Sequence, residues 1–279
     1  MNVKNIGAHY RKLRESRGYS MGDVTNDYLN KSQISRFENG IQMLQLDSFI
    51  YAVQGLNMTV SEFFLTADGF ENLEGQSVDI MIKELIGYSD ITGLYALIMA
   101  NPRTTEKRLA NIQLKCAILE LSGENLLTNE ECQFVDCYLT ECADWTMYEI
   151  NLLGMCLKAL DSELINMLGL QLVDKKKLYR RLPEHTKLVR KTLVNIYVCM
   201  VLRRRFSYAA AFELELDELL KPTDTDEKIV FHLFKKVVKY HRTEVPEDMV
   251  EILKDIQCLK NHGAQGLADR ITIFLDHDR

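Results

Sequence analysis

The chain has 279 residues, of which 47% are hydrophobic and 27% are charged. This composition is typical of a folded globular protein and argues against disorder, and the length is sufficient for one large or two modest domains. The net charge of −6 argues against nucleic-acid binding by the chain as a whole. The low proline and glycine content, 4 and 14 residues, favours helices over a β-sandwich or a barrel.

The charge is unevenly distributed along the sequence. Residues 1–40 contain seven Lys and Arg residues against four Asp and Glu residues, a net charge of +3, so the rest of the chain carries −9. A basic segment followed by an acidic one suggests two domains with different tasks.

The basic segment belongs to a region, residues 1–66, in which we expect five short helices. The first runs from Ile6 to Arg17, and the other four follow candidate N-caps at Ser20, Asn30, Asp47 and Thr59. Apolar residues recur at helical spacing through this region, which predicts a small bundle with one shared core. We call it the head.

A polar, glycine-containing stretch, residues 67–75, is a candidate linker. Residues 76–279, which we call the body, predict about nine or ten longer helices joined by short connections, with no convincing strand. Paired helices without a clean repeat indicate a degenerate solenoid. The expected fold class is therefore all-α, with a five-helix head followed by a helical-repeat body.

The third predicted helix of the head has an unusual polar face. In NKSQISRFENG, Asn30 is the expected N-cap, and Ile34 and Phe37 point inward at i, i+3 spacing. Hydrogen-bond donors occupy the exposed side, and none of these residues is acidic: Lys31, Ser32, Ser35 and Arg36. Such side chains suit the base edges of the major groove when they begin the second helix of a helix-turn-helix. The alternative is an ordinary solvated face.

Residues 4–66 resemble the helix-turn-helix of the Cro and phage-repressor type. The resemblance is carried by Leu13-Arg14, Gly18, Ser32 to Gly40 and Thr59 to Phe64. It implies that Arg14 and Glu38 form a structural ion pair beneath the DNA-facing surface and that Asn39 contacts phosphate. The predicted DNA-binding set is Lys31, Ser32, Gln33, Ser35, Arg36 and Asn39.

The order of the two domains resembles the Rgg/GadR/MutR regulators of Gram-positive bacteria. The motif YLNKSQISRFENG and the segment Trp145 to Ile150 carry this resemblance. It implies a homodimer whose body, related to tetratricopeptide repeats, binds a short secreted peptide that has entered the cell. Peptide binding would change transcription of nearby genes, which is quorum sensing, and a dimer is expected to bind a promoter inverted repeat in double-stranded DNA.

Three polar residues of the body interrupt apolar helices. Asn195 lies in TLVNIYVCMVL, where a buried amide must find partners, and Asn151 lies in YEINLLGM close to Tyr148. Asparagines on an inner solenoid face suit the backbone amides of an extended, short hydrophobic peptide, so these three residues are the predicted peptide site. The alternative is that each asparagine bonds a neighbouring helix terminus.

No sequence pattern indicates catalysis, a metal site or a cofactor. The motifs of nucleotide-binding, zinc-protease and hydrolase sites are absent, and the histidines are isolated. The seven cysteines form no C-x-x-C pair and are expected to be buried, reduced thiols. No apolar run is long enough to cross a bilayer, and the N-terminus lacks the apolar core of a signal peptide, so a cytoplasmic protein is expected.

The leading hypothesis is therefore a DNA-binding transcriptional regulator controlled by a peptide on its helical body. A second hypothesis is a helix-turn-helix regulator whose body serves only dimerisation or protein partners. A third, an enzymatic helical domain fused to a DNA-binding head, has no catalytic pattern in its favour.

Overall fold

The computed structural model describes residues 6–67, 78–174 and 183–276. Within these ranges the protein is all-helical, as predicted, and contains no strand. The chain divides into two compact units, Met1–Ser77 and Val78–Arg279. Most of the predicted linker lies outside the described residues, although Ala67 is buried in the core of the head. No helix in the described ranges has the length and apolar character needed to cross a membrane.

Four helices form the described part of the head. They are α1 (Ile6–Ser16), α2 (Lys31–Glu38), α3 (Leu46–Gly55) and α4 (Val60–Leu65). Their shared core is aromatic at its centre, where Tyr10, Phe37 and Phe63 are almost completely buried. The hydroxyl of Tyr10 donates a hydrogen bond of 3.2 Å to the carbonyl oxygen of Ala52, which joins α1 to α3.

The predicted second helix of the head does not form, so the expectation of five helices is wrong. The segment after Ser20 is a series of turns instead. Asp23 Oδ2 accepts hydrogen bonds of 2.7 Å from both the backbone N–H and the hydroxyl of Ser20. The Thr25 hydroxyl donates to the Gly22 carbonyl oxygen at 2.8 Å. Ser20 and Asp23 thus form capping contacts, but Thr25 takes the Gly22 carbonyl oxygen that the next helical turn would need, and Gly22 has low helix propensity.

The helix starts of the head confirm two predicted caps and correct a third. Asn30 Oδ1 accepts from the Gln33 N–H at 3.0 Å, and Thr59 caps α4 in the same way. Asp47 is not an N-cap, because α3 begins one residue earlier, at Leu46. Leu46 is accordingly in the first turn and is 76% exposed rather than part of the core.

The described part of the body contains helices α5 to α15, slightly more than expected, and several are shorter than expected. The bounds are α5 Val78–Gly87, α6 Ile91–Ala96, α7 Thr105–Ser122, α8 Asn129–Glu141, α9 Met147–Met155, α10 Ser162–Asp174, α11 Pro183–Leu202, α12 Phe206–Leu219, α13 Thr225–Thr243, α14 Pro246–Asn261 and α15 Gln265–Asp276.

Helix α11 lies at the centre of the body. It packs against α9, α10, α12 and α13, and its side chains Leu193, Ile196, Tyr197 and Met200 are inaccessible to solvent. A smaller separate cluster joins α5, α6 and α7. The body therefore has a large core organised around one long helix and a satellite core at its N-terminal end.

A buried ion pair joins α11 to the turn before α13. The Arg190 Nη2 group donates to Asp224 Oδ1 at 2.9 Å, and Arg190 Nε lies 2.7 Å from Asp224 Oδ2. Asp224 also accepts a 2.8 Å hydrogen bond from the N–H of Lys221, so the carboxylate holds the turn as well as the helix.

Replacing Asp224 with alanine should lower the free energy of unfolding by about 3–5 kcal/mol, because a buried guanidinium would lose its partner. Denaturant unfolding of the full chain, followed by Trp145 fluorescence, measures this. The matched control is Asp217→Ala, whose side chain is 46% exposed and pairs with Lys235. That change should cost below about 1 kcal/mol. Equal effects of the two substitutions would show that Asp224 is not a structural anchor.

Candidate DNA-binding surface and peptide groove

The first candidate site is one face of α2. Lys31, Ser32, Arg36 and Asn39 are exposed, and Ser35 is half-buried between them. At 100° per residue these five positions fall within one sector of the helix, whereas Ile34 and Phe37 lie on the opposite side and are buried. The predicted donor face of the helix is therefore a continuous surface.

Gln33 differs from the other predicted DNA-binding residues. It is half-buried and lies outside this sector. Its Oε1 atom accepts a hydrogen bond of 2.9 Å from the backbone N–H of Asn30, which completes the capping box. Asn39 is also engaged locally, because its Nδ2 group donates to the Ser35 carbonyl oxygen at 2.8 Å. Gln33 thus has a structural task at the start of α2.

Arg14 and Glu38 pair beneath this surface, in the arrangement that the sequence resemblance implies. Arg14 donates to the two carboxylate oxygens of Glu38 at 2.6 Å and 2.8 Å, and both side chains are buried. The guanidinium also donates to the Tyr19 carbonyl oxygen at 2.6 Å, and its Nη2 group makes a longer contact of 3.5 Å with Glu15 Oε1. The hydrogen bond to Glu38 raises the pKa of Arg14 above its ordinary value, so this charge is permanent. The pair fixes the C-terminal end of α2 to α1.

Gly7 sets how closely α1 and α2 approach each other. A Cβ atom at this position would lie 1.9 Å from the carbonyl oxygen of Phe37, which is backbone and cannot rotate away. Any side chain at residue 7 would therefore push α2 outward. The exposed face of α2 thus owes its position to backbone packing as well as to the ion pair.

Replacing Glu38 with alanine should destabilise the head by about 3–5 kcal/mol, because Arg14 would remain buried without its partner. Hydrogen exchange of the head amides in the full chain measures this locally. Asp27→Ala is the control, because Asp27 is exposed and forms no ion pair in the described part of the head. Unchanged exchange in the Glu38 variant would remove the ion pair from the explanation of head stability.

The second candidate site is a groove in the body formed by two adjoining cavities of about 290 Å³ and 270 Å³. Helices α5, α7, α9 and α11 line the first cavity, and α13 and α15 contribute to the second. The two cavities share the wall residues Glu120, Gly154, Met155 and Asn195. We call this continuous depression the groove.

Asn195 lies where the two cavities meet. The expectation that its amide is buried is wrong, because the side chain is exposed and lines both cavities. It makes no side-chain hydrogen bond in the part of the chain that the structure describes. Leu188, Lys191, Val198 and Leu202 continue the same side of α11, one helical turn at a time, and all line the groove. The polar residue in this apolar segment therefore faces an open surface.

The other two predicted peptide-site residues have different positions. Asn151 lies on α9, lines the first cavity across from α11, and is 8% exposed. Tyr148 begins the same helix but does not line either cavity, and it packs against the main core instead. The structure thus brings Asn151 and Asn195 to one groove and leaves Tyr148 outside it.

Helix α9 is held firmly at the groove. Glu149 Oε2 accepts hydrogen bonds from the Thr146 N–H and hydroxyl at 2.8 Å and 2.7 Å, and the Tyr138 hydroxyl donates to its other oxygen at 3.0 Å. Burial alone would raise the pKa of Glu149, but these hydrogen bonds keep it below its ordinary value. At Gly154, a Cβ atom would lie 3.1 Å from Thr192 Oγ1, so α9 approaches α11 closely there.

The groove also contains groups that the sequence did not reveal. Lys158 and Lys191 are exposed in its walls, and Glu120 lies between the cavities. Gln113 does not line either cavity, but it lies on the same side of α7 as Ala117 and Glu120. It is 1% exposed and has no hydrogen-bond partner for either amide atom among the described residues.

No group of three His, Cys, Asp or Glu side chains that could hold a metal occurs in the described ranges. All seven cysteines are unpaired thiols. Cys116, Cys156 and Cys199 are buried as expected, and Cys199 lines the second cavity. Cys137 and Cys258 are exposed, so the expectation of burial is wrong for these two residues.

The chain superposes over almost its whole length on several known structures. It superposes on a protein assigned to transcriptional regulation in Listeria monocytogenes EGD-e (TM-score 0.76, 19% identity, 98% of this chain and 96% of that one). It also superposes on the SHP pheromone receptor Rgg2 of Streptococcus dysgalactiae (0.71, 20%, 98% and 98%). A third match is PrgX in its complex with cCF10 (0.64, 9%, 98% and 91%). At these identities the matches establish the fold.

The family of the chain is identified from its sequence. Residues 97–273 match the family described as "HTH-type transcriptional regulator Rgg, C-terminal domain". This match covers most of the body and more than half of the chain. The chain therefore belongs to the Rgg family of transcriptional regulators.

Proposed function

We propose that this protein is a sequence-specific DNA-binding regulator, acting in the cytoplasm, whose body binds a short signalling peptide. The observation that carries the proposal is that one chain of the Rgg family contains both an exposed donor face on α2 and an open groove with two asparagine side chains. The chain also superposes on a bacterial peptide pheromone/receptor complex (TM-score 0.65, 11% identity), which supports a peptide ligand for this fold.

For DNA, α2 would enter the major groove with its N-terminal half. Lys31 and Arg36 suit the acceptors of guanine, and the Ser32 and Ser35 hydroxyls suit either kind of base edge. One such helix contacts few base pairs, so we propose a homodimer on an inverted repeat. Val250 and Leu253, half-exposed and one turn apart on α14, are apolar surface available for a second copy.

Arg36→Ala should weaken binding to the preferred duplex by about 1–3 kcal/mol and relax the preference at one base pair in each half-site. Selection of bound sequences from a randomised duplex pool, performed with the full chain and the variant, measures both effects. Lys107→Ala, which changes an exposed lysine at the start of α7, is the control and should change neither. Equal weakening on every sequence would mean that Arg36 contacts only phosphate.

For the peptide, the groove offers amide groups between apolar walls. Asn151 and Asn195 come from different helices, and apolar side chains such as Met155, Val198 and Phe234 surround them. Asparagine can both donate to and accept from a peptide bond, so it suits an extended backbone regardless of the ligand's side chains. The apolar walls suit a hydrophobic peptide.

Asn195→Leu should leave the melting temperature unchanged or raised, because the exposed amide has no partner to lose, and it should reduce peptide affinity at least severalfold. Thermal unfolding and peptide titration on the same variant measure both. Asn166→Leu on α10, outside the groove, is the matched control. A lower melting temperature with unchanged peptide affinity would assign Asn195 to the fold and not to the site.

The alternative, in which the body serves only dimerisation or protein partners, makes a different prediction. A ligand that binds only the folded state raises thermal stability by mass action. Short hydrophobic peptides encoded beside the gene should therefore raise the melting temperature if the body is a receptor. If none of these peptides raises the melting temperature, the alternative is favoured.

A further inference from the structure

The groove is positively charged, whereas the chain as a whole is negatively charged. Its walls contain four cations and one acid: Lys83, Lys158, Lys191, Arg203 and Glu120. This is a formal charge of +3 in a protein whose net charge is −6. A concave site with the charge opposite to that of the molecule concentrates ligands of complementary charge.

Two of these cations have no ion-pair partner in the described ranges. Lys191 lines the first cavity and Lys158 the second, and both are exposed. Three lysines elsewhere in the body are instead held in ion pairs. Lys115 lies 2.7 Å from Glu131, Lys235 2.8 Å from Asp217, and Lys239 2.6 Å from Asp248. The lysines of the groove are thus available to a ligand in a way that these three are not.

Arg203 has a different role in the groove. Its Nη1 group donates to the Leu160 carbonyl oxygen at 2.8 Å, and its Nη2 group donates to the Leu157 carbonyl oxygen at 2.7 Å. Its hydrogen-bonding capacity is therefore largely committed to the turn after α9, although its charge still contributes to the local potential. The two lysines, one in each cavity, remain as direct anchors.

The spacing along α11 sets the length of the ligand. The groove side of the helix extends from Leu188 to Leu202, which is about 21 Å at 1.5 Å per residue. An extended chain advances about 3.3 Å per residue, so about six residues span this distance. Apolar walls and the Asn195 amide lie along the middle, and one unpaired lysine belongs to each cavity.

We infer that the groove selects an extended apolar peptide of about six residues that carries two negative charges, its C-terminal carboxylate and one acidic side chain. Lys158 and Lys191 bind one carboxylate each, and Asn195 bonds the backbone between them. This inference rests on the proposed function, because it specifies the chemistry of the peptide in the same groove. It adds a charge requirement to the hydrophobic character of the ligand.

The test uses two N-acetylated hexapeptide mixtures built from Leu, Ile, Val and Phe. One mixture has Asp at one varied position and a free C-terminal carboxylate, and the other has Asn there and a C-terminal amide. Each is incubated with the full chain, and the retained peptides are quantified by mass spectrometry after gel filtration. We expect the charged mixture to be retained about tenfold more, with the difference decreasing as salt is raised.

The variants Lys158→Gln and Lys191→Gln should each reduce retention of the charged mixture severalfold, and Lys191→Glu should reduce it further. Lys254→Gln, an exposed lysine outside the groove, should have no effect. Equal retention of the two mixtures, or insensitivity to the groove lysines, would overturn the charge requirement and leave peptide binding intact. Retention of neither mixture would overturn both this inference and the proposed peptide function.

Discussion

Helix α11 is buried in the main core on one side and is open to the groove on the other, and the structure of the body depends on this arrangement. One side of the helix, including Leu193, Ile196 and Tyr197, is sealed in the main core by α9, α10, α12 and α13. The other side, from Leu188 to Leu202, stays open as a wall of the groove. Because the core side is fully packed, the open side is held rigidly, which is what a preorganised binding surface requires.

The head must likewise hold one helix in place while leaving one of its faces exposed, and it does so with fewer residues. Helix α2, which we propose to face DNA, has eight residues, too few to be stable alone, so tertiary contacts must hold it. The Arg14–Glu38 pair, the capping box at Asn30 and the backbone contact at Gly7 supply that support without using the exposed face. Lys31, Ser32 and Arg36 therefore remain free of structural tasks.

The all-α class, the helix starts at Asn30 and Thr59 and the polar face of α2 follow from the sequence, because caps and helical periodicity are local signals. The missing second helix does not, because the capping contact between Ser20 and Asp23 forms as expected, but the Thr25 hydroxyl then binds the Gly22 carbonyl oxygen and no helix follows. Asn195 was found by its contrast with apolar neighbours, but its exposure depends on which face α11 buries. Lys158 and Lys191 could not be found locally, because ordinary exposed lysines have the same sequence signature and only the fold brings these two to one groove.

The central claim is that the body binds peptide along α11. Hydrogen–deuterium exchange of the full chain, with and without a saturating peptide recovered by selection on the protein, tests it most directly. Binding in the groove should slow exchange in α9 and α11, because a bound ligand suppresses local opening of the segments that it contacts. Peptide binding that protects only α12 and α14, with exchange in α9 and α11 unchanged, would contradict the claim.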